Sequence, residues 1–250
     1  MREPPTTAYR SHPPRVFSFR LGAARRWPEM RRVAALTVVC LLTACASHPP
    51  TPDWQMNAKT ASERSLTAYL SGDGRVEAQE LQRARSEVAR TGRADLLARI
   101  ELAHCAAQVA SLVFQPCVAF EALRVDVPAP ERAYADYLAA RVAPQDIALL
   151  PESQRSVAVG AASAAADAVA LGAIADPLSR LVAAGVLFEA NRADPQVIAI
   201  AIETASSQGW RRPLLAWLGV QLRRVEQAGA SDEAQRLRRR IELVQGRAAP

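Results

Sequence analysis

Asp176–Gly209, DPLSRLVAAGVLFEANRADPQVIAIAIETASSQG, is the stretch whose reading decides the fold. It holds the same helix start twice, at Asp176-Pro177 and at Asp194-Pro195. The aspartate side chain caps the free amides of a first turn, and proline at the first helical position gives up no hydrogen bond that the helix would use. The pattern predicts helices over Leu178–Asn191 and Gln196–Ser207, the second closed by Gly209. Trp210–Ala228 follows with Leu214, Leu215, Leu218 and Leu222 turned inward. Beyond Gly229, Ser231 is placed to cap a last helix over Asp232–Val244.

The same grammar extends upstream. Ala94–Phe114 carries an apolar stripe of Leu96, Ile100, Ala103, Ala107, Ala110 and Phe114, with Asp95, Arg99 and Gln108 on the wet side. Gln115-Pro116 breaks it, and Cys117–Leu123 begins another short helix. Trp54–Leu70 and Val76–Thr91 read as two helices around Ser71-Gly-Asp-Gly74, the second ended by Gly92. Glu131–Arg141 is a helix with Tyr134 and Tyr137 a turn apart. Ser153–Ile174, rich in alanine, glycine and serine, allows close helix approach, and Asp167 argues against a membrane span there. Alanine is abundant, aromatics are few and strand-type runs are scarce, so the composition asks for helices. The expected fold is all-α, a stack of antiparallel helical hairpins, in an N-terminal region 54–150 and a C-terminal region 151–246.

Leu181-Val-Ala-Ala-Gly185-Val186 recurs as Leu215-Ala-Trp-Leu-Gly219-Val220, 34 residues on. Over roughly Asp176–Val244 the chain thereby resembles tetratricopeptide-type helical hairpins, which share that period. Ordinary antiparallel hairpins forming an irregular α-solenoid predict the same stack. If the resemblance holds, it implies a concave partner-binding groove lined from around Arg180–Glu189 and Leu214–Arg224.

The leader has its own logic. Met30-Arg31-Arg32 is a basic start, and Val33–Leu42 is an uncharged run too short to span a bilayer. Leu42-Thr43-Ala44-Cys45 then resembles the lipobox of bacterial lipoproteins. The resemblance implies removal of residues 1–44, a diacylglyceryl group on the Cys45 thiol and an acyl group on its new amino terminus. Several acyl chains on one residue make a stable anchor, since each buried methylene adds about 0.8 kcal/mol. Ala46 after the cysteine implies, by that family's sorting habit, the outer membrane, with the body facing the periplasm. Ser47–Asp53 is proline-rich and reads as an extended tether. Residues 1–29, with two Pro-Pro pairs, six arginines and no apolar period, read as a preface to a true start at Met30.

The formal charge of +6 belongs to the leader, where residues 1–44 hold eight arginines and two acids. The remaining 206 residues carry 23 basic and 23 acidic side chains, so the body is neutral and a nucleic-acid partner is not expected. Nine arginines against four acids fall after Trp210, with Arg236, Arg238, Arg239 and Arg240 forming a candidate contact for an anionic partner.

With Cys45 lipidated, Cys105 and Cys117 remain as a pair delivered to an oxidising space. A disulfide is the expected state, two buried reduced thiols the alternative. His104 has no second histidine in the body to join, so no metal centre is expected. Ser71–Glu80 resembles the later part of an EF-hand calcium loop, but Tyr69 stands where the leading aspartate ligand belongs. A plain Asp-Gly turn is the reading there. No phosphate loop or nucleophile signature occurs, although carboxylates such as Glu101 and Asp167 could meet in a cleft. The expectation is a non-enzymatic scaffold or adaptor for an envelope protein partner, with no cofactor beyond the lipid on Cys45 and no small-molecule substrate. The alternative is a binding module for cell-wall glycan or anionic lipid that uses the arginine-rich end.

Overall fold

A computed structural model describes residues 51–160 and 163–247. The leader, Leu42–Cys45 and the tether through Pro50 lie outside the described residues. Within them the chain is all-α: eleven α-helices, two 3-10 turns and no strand.

Helices α1 (Asp53–Ser71) and α2 (Gly74–Ala89) form the first hairpin. Gly72 makes the left-handed turn between them at φ 87°, and Asp73 caps α2 by accepting from the Val76 amide at 3.1 Å. The facing surfaces are small, Ala58, Ala61 and Ala68 against Leu81, Ala84 and Val88, which lets the helices lie close. Helix α3 (Ala94–Ala110) follows, then the short α4 (Val118–Glu121) and a 3-10 turn at Arg124–Asp126. Helix α5 (Ala129–Leu138) precedes the 3-10 turn Pro144–Leu149, and α6 (Glu152–Ala158) and α7 (Ala164–Gly172) come next. The last four are α8 (Pro177–Glu189), α9 (Pro195–Ser207), α10 (Arg211–Gln227) and α11 (Ser231–Val244).

Both Asp-Pro starts form as their chemistry dictates. Asp176 accepts from the Ser179 amide at 2.7 Å and Asp194 from the Val197 amide at 2.8 Å. Helix α8 is buried continuously from Leu181 to Leu187, as a helix apolar on every side must be. It packs on α3, and Gly185 marks the crossing: a Cβ there would fall on the Val109 carbonyl and 2.8 Å from Val109 Cγ1. Its partner in the 34-residue echo, Gly219, faces only the end of Arg223 at 3.8 Å. The two copies of the echo therefore meet different surroundings.

Trp217 of α10 is fully buried, and its Nε1 donates to the Ala110 carbonyl at 3.1 Å. That carbonyl ends α3 and has no acceptor role inside the helix, so the indole satisfies it. Phe188 packs edge-on to Trp217 with ring centroids 5.8 Å apart and stacks on Phe114 at 6.1 Å. These contacts tie the helices before residue 150 to those after it. One apolar core runs from Ala98 to Val220, and the chain from Thr51 onward is one compact unit. The boundary at 150/151 thus separates stretches of sequence that share a core.

Most expected boundaries shift by one to three residues, the helix expected over Glu131–Arg141 running from Ala129 to Leu138, and three changes have a local cause. Helix α3 stops at Ala110 instead of Phe114, because Leu112 turns left-handed at φ 58° and the Val113 amide closes back on the Gln108 carbonyl at 2.9 Å. Ser153–Ile174 divides into α6 and α7, with Gly160 at φ 79° after α6. Ser231 is the first residue of α11 instead of its cap; Ala230 holds the cap position and makes no side-chain bond.

Candidate functional site

The concavity best suited to a ligand is an apolar groove of about 510 Å³, open to solvent, between α3, α5, α8 and the segment after Pro144. Leu66, Leu102, Ala106, Leu149, Leu150 and Leu178 supply its apolar walls. Pro130 and Pro151 stiffen the two chain segments that border it.

The polar residues of the groove lining are Arg99, Glu131, Tyr134, Asp176 and Ser179, with Arg99 beside Glu131 and Tyr134 near Asp176. Glu131 sits in the first turn of α5 and is only 7% exposed. Its Oε1 accepts from Arg99 Nε at 2.8 Å, while Oε2 is buried with no hydrogen-bond partner among the described residues. Burial raises the Tyr134 phenol above its usual range, and the negative charge of Asp176 adds to the effect. Asp176 has spent one oxygen on its helix cap. The lining thus holds two carboxyl side chains against one guanidinium.

Beside it lies a buried polar link. Tyr137 is fully buried, and its hydroxyl donates to Gln154 Oε1 at 2.6 Å while Gln154 Nε2 donates to the Ser179 carbonyl at 3.0 Å. The chain of bonds holds α5, α6 and the start of α8 in register, and so fixes the groove walls.

The residues singled out by sequence are placed as follows. Cys105 and Cys117 are joined in a disulfide with Cα atoms 6.1 Å apart, tying α3 to the start of α4. Arg236, Arg238, Arg239 and Arg240 lie exposed on α11. Arg238 pairs with Glu226 at 2.5 Å and Arg240 Nη2 donates to Ser206 at 3.2 Å, while Arg236 and Arg239 carry no ion pair among the described residues. Glu101 and Asp167 do not meet in a cleft: each is buried against its own arginine. Arg85 grips Glu101 with two bonds of 2.6 Å, and Arg192 holds Asp167 through Nε at 3.0 Å and through Nη2. His104 is half-buried, with Nε2 3.0 Å from Glu77 and its ring edge-on to Tyr69 at 5.7 Å. Asp73 serves as a helix cap, and no group of three or more metal-type ligands occurs among the described residues.

The groove differs from the one implied by the tetratricopeptide resemblance. Leu181–Leu187 form core instead of a surface, only Leu178, Ser179 and Val182 of α8 border the groove, and nothing from Leu214–Arg224 does. Leu66, Arg99, Glu131 and Leu150 were absent from the sequence reading of the site. They come from four elements with no shared spacing, so the one signal available was Glu131 standing among the apolar positions of α5.

No described helix is long and apolar enough to cross a membrane. No protein-family model, no curated protein and no solved structure matches the chain.

Proposed function

We propose that the protein is a lipid-anchored envelope lipoprotein, held at the inner leaflet of the outer membrane through Cys45 and facing the periplasm. Its helical body acts as a non-enzymatic scaffold or adaptor for a protein partner. The anchor rests on the lipobox-like Leu42-Thr43-Ala44-Cys45. The bridged Cys105–Cys117 pair suits an oxidising compartment. The observation that carries the adaptor reading is the open apolar groove, framed by helices held together through buried hydrogen bonds.

Cys45→Ala tests the anchor. Labelled palmitate incorporation and membrane fractionation in cells should both be lost with the variant. Undiminished labelling or unchanged membrane recovery would remove the anchor from the reading. Cross-linking in intact cells tests the adaptor: a protein of defined mass should be captured on the body, and a chain recovered alone would count against it.

A second reading draws on α11, where Arg236 and Arg239 are exposed and unpaired among the described residues. This face suits anionic lipid or glycan phosphate. Co-sedimentation with anionic vesicles or peptidoglycan that is salt-sensitive and lost on Arg236→Ala/Arg239→Ala would favour it.

A further inference from the structure

We propose that the groove between α3, α5 and α8 binds an apolar peptide segment of the partner that carries one basic side chain, with its cationic end seated at Glu131. The proposal rests on the adaptor reading above and names the site and the chemistry of what it holds.

The argument begins with Glu131 Oε2. A buried carboxylate oxygen without a donor is costly, because its hydration is lost and nothing in the protein replaces it. Arg99 engages the other oxygen and leaves this one free to accept. Glu131 nonetheless lines the groove, on the side where a bound ligand would lie. The neighbouring polar groups select the donor. Asp176 adds a second carboxylate, Tyr134 adds a hydroxyl, and the one cation of the lining, Arg99, gives its Nε to Glu131. An acidic ligand would meet two carboxylates against the single guanidinium of Arg99. An ammonium or guanidinium would complete the set, in surroundings where apolar walls strengthen the pairing.

The remaining surface selects the rest of the ligand. Leu66, Leu102, Ala106, Leu149, Leu150 and Leu178 offer apolar contact along an open groove, which suits consecutive side chains of a polypeptide. Apolar residues on both sides of a lysine or arginine would use the walls and the charged floor together.

The test uses the mature full chain and two fluorescein-labelled peptides, acetyl-Leu-Leu-Lys-Leu-Leu-amide and its counterpart with Glu in place of Lys, read by fluorescence anisotropy. The lysine peptide should bind at least ten-fold more tightly than the glutamate peptide. Glu131→Gln should erase that preference while thermal unfolding stays cooperative, and Tyr134→Phe should reduce it. Leu178→Arg, which places a rival cation and bulk in the groove, should abolish binding of both peptides. Equal binding of the two peptides, binding of neither, or a preference that survives Glu131→Gln would overturn the proposal. A photo-cross-linker at Leu149 and another at Arg239, used in intact cells, separate this outcome from failure of the adaptor reading. A partner captured only from Arg239 would sink the groove and keep the adaptor, whereas capture from neither position would sink both.

Discussion

Gly185 and Gly219 occupy matching places in a repeated sequence, yet they do opposite jobs. Gly185 is where α8 crosses α3, and any side chain there strikes the Val109 backbone. Gly219 has open space except for the tip of Arg223. Substitution by alanine should therefore split the pair. Gly185→Ala forces the central helices apart and should destabilise by about 1–3 kcal/mol, the range for overpacking a core. Gly219→Ala removes a flexible residue from a helix interior and should stabilise by up to about 1 kcal/mol. Urea unfolding of the two variants checks this, and an equal effect at both sites would mean that the helices are packed differently. The repeat was legible in sequence; the difference between its copies was not, because it depends on what crosses each helix. Buried acids show the same limit. In sequence Glu101 and Asp167 are carboxylates that could meet in a cleft, and only the fold brings Arg85 and Arg192 to them. Removing either arginine alone would leave a buried negative charge unpaired, a far worse state than removing the pair.

At the scale of elements, helix ends separate what sequence reveals from what it hides. Gly72, Gly92, Gly209 and Gly229 adopt positive φ after their helices, and glycine announces such turns. Leu112, Ala140 and Asn191 make the same left-handed turn after α3, α5 and α8, at φ 58°, 55° and 56°. Each closes by the same pair of bonds, as in Ala140 N to the Tyr137 carbonyl at 2.9 Å and Arg141 N to the Asp136 carbonyl at 2.9 Å. A leucine gives no warning of this, which is why α3 was expected to run four residues too far. At Ala140 the left-handed conformation costs more than the added chain entropy of glycine, so Ala140→Gly should stabilise by about 0.5 kcal/mol. A thermal melt that moves down instead of up would show that the Ala140 methyl contributes more through packing. The turn beside it carries a charge cluster. Arg124 binds Glu121 at 2.7 Å and Asp136 at 3.0 Å, and Arg141 also donates to Asp136 at 3.2 Å. Hydrogen bonding from Arg124 holds the Glu121 carboxyl below its usual range. Burial pushes the Asp136 carboxyl up, but the bonds from Arg124 and Arg141 outweigh it and the net direction is down. Groups with depressed folded-state pKa values stabilise above their unfolded values, near pH 4, and lose that contribution as pH falls through the folded values. Arg124→Ala should therefore melt below the wild type at pH 6 and converge with it in acid, as pH falls through the lowered values of Glu121 and Asp136. A gap that persists in acid would assign the loss to packing of Arg124 over the Phe120 ring, 5.3 Å from its centroid.

For the whole molecule, the all-α class and most helices follow from caps, glycines and apolar spacing, because those signals act within a few residues. The groove does not, because its walls come from residues as far apart as Leu66 and Val182. The disulfide stands between these cases: pairing two cysteines 12 apart was legible, but its place at the junction of α3 and α4 depends on the early turn at Leu112. That junction matters beyond its own loop. Residues 111–117 carry Phe114, whose ring stacks on Phe188 of α8, and Phe188 in turn packs against Trp217 of α10. The bridge thus restrains one of the segments through which the N-terminal helices meet the C-terminal ones. On the chain-entropy account, closing a loop of this length stabilises by about 3 kcal/mol. Cys105→Ala/Cys117→Ala should lose about that much in urea, and chemical reduction of the wild type should give the same loss. Because one core spans Ala98 to Val220, the transition should remain single, with tryptophan fluorescence and circular dichroism coinciding. Two separated transitions in the reduced chain would mean that the bridge, and not the shared core, joins the helices on either side of residue 150.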